Sequence, residues 1–522
     1  MHVMTPMAAY VLLVAFSALM IFATSVASRA HKWHTAVGFM AAGRSVPWWL
    51  GAVSICVTWI WAPALFISSK QSYENGLPGI FWFTVPNILS LMIVAPLAVR
   101  IREFLPAGYT QPEWIRHRFD ERVHKMYLLV FFWYQLIAVT MQLYAGGSIF
   151  SLLTGVPLQA VMLVLAGTTL TYSIISGMRA SIVTDFLQYS MIVIGGLLII
   201  PWTLASAGGL GAVSQGLGGI TGTHTSIFDG QVAFEFGIVT SIGLICGSLG
   251  DQQNWQRAFS IEQGKLFAAY ILAGLLFGIV PIALSTLGFL AANPALAIHL
   301  PDRVDSSMIG VATVAHYLPG WAVVAFIIMM LGGLCATMDS AMCATSSLFC
   351  FNCLPVSNEE RKANLEESLQ QTTAPEAMKV QDQWDKRILL QGRLAMGGIT
   401  LAGLLLAFAI LYIPGFNLQF LWWTLNSVGM CIAVPTVLSL YWDKLDAKGI
   451  YWGTLLGFLI GVPLFVYSNM IGQTWLTVVV SISILAVSAL FCVLFQRKEP
   501  FIFESALAVD RTQTSSSEVE TV

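Results

Sequence analysis

The sequence predicts an all-α, polytopic membrane protein, and three observations carry that expectation. Of 522 residues, 57% are apolar and only 10% are charged. The mean hydropathy is +0.76. The apolar residues also gather in runs of about 20, the length a helix needs to cross a hydrocarbon core of ~30 Å. Soluble domains do not have such a composition, and a net charge of −2 gives no sign of a nucleic-acid or polyanionic partner.

Taken in order, the runs place spans near residues 7–27, 48–69, 78–99, 126–153, 156–176, 180–206, 232–250, 266–292, 320–349, 388–413, 416–442, 449–470 and 473–495, thirteen in all. The first has no basic stretch before it and has Arg29, Lys32 and Arg44 after it, the pattern of a retained helix that starts outside rather than of a secretory leader. The second, VSICVTWIWAPALFISS, is interrupted by Pro63, four residues after Trp59; the seventh is interrupted at CGSLGDQQNW by Gly247, Gly250 and Asp251. Paired interruptions, one at the start of each half of a bundle, point to a substrate site near the membrane midplane.

Hydropathy spacing then divides the chain into an extra helix with its loop (1–47), a first repeat (48–206), a second, inverted repeat (207–442), two further helices (443–496) and a polar tail (497–522). The basic segments 28–47 and 99–125 read as topology anchors that also meet lipid headgroups. The charged segment 353–387, interrupted by Pro375, reads as solvated surface or a short helix, and the tail DRTQTSSSEVETV as disordered. With the N-terminus outside, 23 of the 25 Lys and Arg residues fall on the cytoplasmic side and only Lys70 and Arg303 fall outside. That asymmetry sets the expected orientation.

The most informative charge is Asp185. It follows the small-residue pair Ser176 and Gly177 and the last basic anchor, Arg179, by about six residues, or roughly 9 Å of helix rise, and then enters an apolar run. An acid at such depth costs about 2.5–3.5 kcal/mol on insertion scales, and such groups face internal cavities on ion or substrate pathways. Pairing with Arg179 is the structural alternative. The ninth span adds a second acid in LGGLCATMDSAMCATSSLF, where Thr337, Asp339 and Ser340 cluster among small residues. A hard monovalent cation needs several oxygen donors, which hydroxyls, carboxylates and unwound carbonyls supply. Hydroxyls that merely bond the carbonyl four residues back would be the bland account.

Other chemistry is thinly represented. All eight cysteines lie in or at the ends of spans, so no extracellular disulfide framework is expected, and the CxxC at Cys350 and Cys353 reads as packing. No histidine lies in a core span and no HExxH motif occurs, which weighs against a membrane-embedded enzyme. An uncoupled channel is the other rival, distinguished by indifference to an ion gradient.

YSIISGMRASIVTDFLQ, residues 172–188, resembles the signature of the sodium:solute symporter family, a Tyr-Ser/Thr-x-x-Gly-Gly-Leu-x-Ala pattern followed by Thr-Asp and Gln, with Ser176 replacing the first glycine. CATMDS resembles the Ser-Thr-x-Asp-Ser stretch of the family's eighth core helix, and the interruption at 54–64 falls where the family unwinds its first. The resemblance implies a LeuT-like core of five plus five inverted helices within thirteen spans. It implies a main sodium site made of carbonyls at Val57, Ile60 and Gly333 with hydroxyl positions at Ala336 and Thr337, of which Ala336 has no hydroxyl. It also implies a second cation or proton site at Asp185, Asp339 and Ser340, two acids that would share a sodium or hold one proton.

Substrate candidates are Trp59, Trp61, Ser248, Gln252, Gln419 and Trp422, with Gln253, Asn254, Trp423 and Asn426 near the same region. TWIWA and DQQNWQRA are similar to the urea-transporter branch; the gating aromatic pair of the sugar branch falls on Gly247 and Ser248. The expected function is sodium-coupled symport of a small polar solute across the plasma membrane, with proton coupling as the alternative. Sodium, the solute and the bilayer are the expected partners, with no other cofactor and no obligate protein partner.

Overall fold

The computed structural model describes residues 4–29, 35–300, 304–354, 374–413 and 417–503. Its principal helices are α1 (Pro6–Arg29), α2 (Ala36–Ala41), α3 (Trp48–Trp59), α4 (Ala62–Phe104), α5 (Gln111–Arg118), α6 (Glu121–Thr154), α7 (Leu158–Ser206), α8 (Ile238–Gly250), α9 (Gln252–Ser260), α10 (Leu266–Ala292), α11 (Ile309–Tyr317), α12 (Gly320–Leu348), α13 (Ala374–Ile410), α14 (Leu418–Tyr441), α15 (Ala447–Leu456), α16 (Val462–Met470) and α17 (Thr474–Leu494).

Twelve helices among the described residues are long and apolar enough to cross a membrane, against the thirteen spans expected. The difference lies in the second span. Its first half is α3, a shorter apolar helix of 12 residues. Its second half opens α4, which continues through the third span without a loop and bends at Gly76 (φ 61°, ψ −146°). The fifth and sixth spans likewise form one run, α7, bent at Gly177 (φ 63°, ψ −146°). At that bend a Cβ would lie 2.5 Å from the Phe39 carbonyl oxygen, so glycine is needed both for the backbone angle and for the approach of the chain ahead of α3.

The break between α3 and α4 follows from Pro63. Its ring cannot donate to the ladder and collides with the carbonyl four residues back, that of Trp59, so α3 ends there. Ile60 (φ −78°, ψ 72°) and Trp61 (φ −75°, ψ 171°) are unwound before α4 resumes with Pro63 in its first turn. The second break falls at Asp251, extended at φ −99°, ψ 109°, which ends α8 and caps α9 by accepting the Gln253 N–H at 3.0 Å.

Around these breaks α4 packs along α10, α7 along α12 and α1, and α8 along α14. Helix α6 lies among α7, α12, α13 and α14. At the end of the bundle bearing α5, Thr110 and Glu113 form a reciprocal cap, and burial pushes the Glu113 carboxyl above the usual carboxylate range although the amides of Tyr109 and Thr110 donate to it. Residues 355–373, within the charged segment, and 504–522, within the tail, lie outside the described residues; α13 takes up the chain from Ala374.

Candidate functional site

The oxygen cluster sits at the first break. The Thr337 hydroxyl lies 3.2 Å from the Ile60 carbonyl oxygen, 3.3 Å from that of Thr58 and 3.5 Å from that of Gly333. One hydrogen serves three carbonyls, so the cluster carries more lone pairs than protons, the donor balance that suits a hard cation. Val57 lies one residue further back in α3 than Thr58. Its carbonyl accepts the Ile60 N–H at 3.0 Å as the last turn of α3 tightens, leaving the Thr58 carbonyl facing Thr337. Ala336 is fully buried and adds only a methyl group.

Beside this cluster lies a small cavity walled by Trp59, Trp61, Phe83, Asn87, Tyr134, Trp422 and Asn426, among others. Its polar groups are partly committed. Trp59 Nε1 donates to Asn87 Oδ1 at 3.0 Å, and Tyr134 donates to Asn426 Oδ1 at 3.1 Å. Trp61 Nε1 and Asn426 Nδ2 are buried donors with no hydrogen-bond partner among the described residues. A Cβ at Gly247 would stand 2.4 Å from Asn426 Oδ1 and 2.5 Å from the Tyr134 hydroxyl, so the Tyr134–Asn426 pair fills the space a side chain at 247 would need.

Of the other substrate candidates, Trp422 lines this cavity and three do not. Ser248 bonds back to the Ile245 carbonyl at 2.9 Å. Gln252 is fully buried on the α5 side, donating to the Tyr109 carbonyl at 3.0 Å and receiving the Gln111 N–H at 3.3 Å. Gln419 accepts from Gln71 at 3.3 Å. Sequence proximity to a break drew attention to Ser248 and Gln252, but both belong to helix segments facing away from the wall. Nothing in the sequence marks Asn87 and Tyr134, because each lies more than 20 residues along the chain from either break and meets the wall only through helix packing.

The two acids part company. Asp185 Oδ2 receives the Ser54 hydroxyl at 2.5 Å and forms an ion pair with Arg257 Nη2 at 3.1 Å, both ionic side chains having no exposed surface. The same Nη2 donates to Ser340 at 2.6 Å, and Arg257 Nε donates to Ser54 at 3.1 Å. The base facing Asp185 therefore comes from α9, whereas the sequence had offered Arg179. Arg257, one of the basic residues expected on the cytoplasmic side, is fully buried in the bundle on α9. Asp339 instead accepts Ser173 at 2.7 Å and Thr184 at 3.4 Å and has no ion pair at salt-bridge distance among the described residues. The CxxC divides too, Cys350 being buried and Cys353 exposed.

A cavity beside the unwound end of one broken helix, in a bundle of long apolar helices that holds a second broken helix, fits the class of membrane transporters that bind their cargo at unwound backbone. The chain belongs to the sodium:solute symporter family, whose model matches residues 39–367. It is 25% identical over 360 residues to the urea active transporter of Saccharomyces cerevisiae, covering 65% of this chain and 49% of that one. It is 23% identical over 464 residues to the urea-proton symporter DUR3 of Oryza sativa subsp. japonica, covering 83% and 61%. The chain thus spans about half to three-fifths of the length of these curated relatives. Among solved structures, a Na+-coupled sialic acid symporter in a substrate-bound outward-open state superposes with a TM-score of 0.69 over 94% of this chain and 99% of that one at 16% identity, a likeness of fold. The family and these relatives are transporters, not enzymes.

Proposed function

We propose that the chain is a secondary active symporter of the plasma membrane that couples sodium entry to uptake of a small neutral solute by alternating access, its two repeats rocking about the midplane and its N-terminus outside. The observation that carries this reading is the meeting of Thr337 with the Ile60 carbonyl at a break whose tryptophans wall the cavity. An ion held by Thr58, Ile60, Gly333 and Thr337, with Val57 and Ala336 adjoining, touches the same unwound backbone that shapes the solute cavity. Reciprocal linkage between the two cargoes follows from that shared backbone.

Support for a single coupling ion comes from Arg257, whose guanidinium lies between Asp185 and Ser340 where a second cation would bind. Support for a neutral solute comes from a cavity wall without a charged side chain. Its two uncommitted donors, Trp61 Nε1 and Asn426 Nδ2, ask for an acceptor oxygen. Urea, named in the relatives above, has that chemistry.

A proton-coupled reading is favoured by Asp339, a buried acid held by hydroxyls. Uptake of labelled urea into proteoliposomes under imposed sodium or proton gradients separates the two. Sodium is expected to drive accumulation, and Thr337→Ala is expected to raise the half-saturating sodium concentration about tenfold, the scale of one lost hydrogen-bonding group. Drive by protons that is abolished in Asp339→Asn would move the coupling to that acid, and uptake indifferent to both gradients would make the protein a channel.

A further inference from the structure

One helix touches both breaks. Gln142 of α6 receives at Oε1 the N–H of Ala62, the amide that opens α4 just past the unwound Ile60 and Trp61, at 2.9 Å. On the same helix Gln135 donates from Nε2 to Asp251 Oδ1 at 3.2 Å, the oxygen that also caps α9. The two glutamines are seven residues apart, so they share a face of α6 about 10 Å apart along its axis. Both are fully buried. Next to Gln135 on the same helix, Tyr134 sets its ring against Trp61 (centroids 6.5 Å apart) and its hydroxyl on Asn426.

We infer that α6 is a spacer that fixes the two breaks relative to each other, with Gln142 positioning the unwound carbonyls for the coupling ion and Gln135 positioning α9. The inference rests on the symport reading for what the first break binds. An unwound segment has no ladder to aim its carbonyls, and the first amides of the helix that follows lack intrahelical acceptors. At α4, whose entry has no side-chain cap, Gln142 supplies one of those acceptors from another helix. At α9 the capping acid is itself held by Gln135. Helix α9 carries Arg257, so the spacer also governs where that guanidinium meets Asp185.

The two glutamines act with opposite polarity, one as acceptor and one as donor to an acid, and the test uses that difference. The full chain in nanodiscs is titrated with sodium chloride against choline chloride while intrinsic tryptophan fluorescence is followed, and amide hydrogen exchange is measured in parallel. Gln142→Leu is expected to raise half-saturating sodium about tenfold and to speed exchange at residues 62–66, whereas Gln142→Glu keeps the acceptor and keeps affinity within about threefold. Gln135→Leu is expected to leave sodium affinity within about threefold while speeding exchange across residues 252–260 about tenfold. Gln135→Glu, which sets a second acid against Asp251, is expected to speed it further.

Equal behaviour of Leu and Glu at position 142, or exchange that rises at both breaks in either Leu variant, would overturn the spacer. A wild-type protein whose fluorescence ignores sodium would overturn sodium coupling instead, and the exchange measurements would still decide the spacer. If Gln135→Glu does not elute as a monodisperse species, Gln135→Met carries the same comparison.

Discussion

Asp185 and Arg257 come from helices far apart in sequence, and burial makes each dependent on the other. A buried pair of this kind adds little net stability over an apolar replacement, yet removing one member leaves an uncompensated charge that costs about 3–5 kcal/mol. Arg257→Gln is therefore expected to lower the thermal unfolding midpoint sharply in detergent, as is Asp185→Asn to a lesser degree. The double variant Asp185→Asn with Arg257→Gln is expected to recover much of the loss; additive losses in the three proteins would show that the pair is not the source. Serine hydroxyls at Ser54 and Ser340 extend the network to α3 and α12, so the pair joins four helices at one point.

At the scale of elements, the breaks and bends were legible because they use residues with special backbones. Pro63 ends α3 by sterics, Asp251 caps α9, and Gly177 bends α7 at an angle few other residues accept. Gly177→Ala is expected to cost about 1–3 kcal/mol through backbone strain, with a further loss from collision with Phe39, and a midpoint unchanged from wild type would show that the bend relaxes freely. What the sequence hid was partnership. Gln135, Gln142 and Tyr134 look like ordinary polar interruptions of an apolar helix, and their roles exist only through helices met elsewhere along the chain. The pairing of Arg257 with Asp185 was hidden for the same reason, since a basic residue just past a glycine-rich interruption reads as the end of a span. The thirteen-span count differed from the structure because hydropathy windows join the short α3 to the start of α4 across the break at Ile60 and Trp61, and stop at the polar residues around Gly76 where α4 in fact continues.

For the molecule as a whole, the proposed orientation has a convenient reporter. Cys353 is exposed, while the other seven cysteines are buried. A membrane-impermeant maleimide is expected to label the wild-type protein in inside-out vesicles and not in right-side-out vesicles, and Cys353→Ser is expected to abolish the signal. Labelling with the opposite sidedness would invert the topology.

The Asp185–Arg257 pair also bears on how the chain is made. Synthesis delivers Asp185 to the bilayer 72 residues before Arg257. In that interval the acid is stranded among apolar neighbours at an insertion cost of about 2.5–3.5 kcal/mol. Helix α7 is then expected to linger at the insertion machinery until α9 arrives. Chains truncated after Gly250 should be degraded rapidly in a pulse-chase experiment, whereas chains extended past Ser260 should persist longer. On this account the ion pair acts as a checkpoint in biogenesis before any solute is carried.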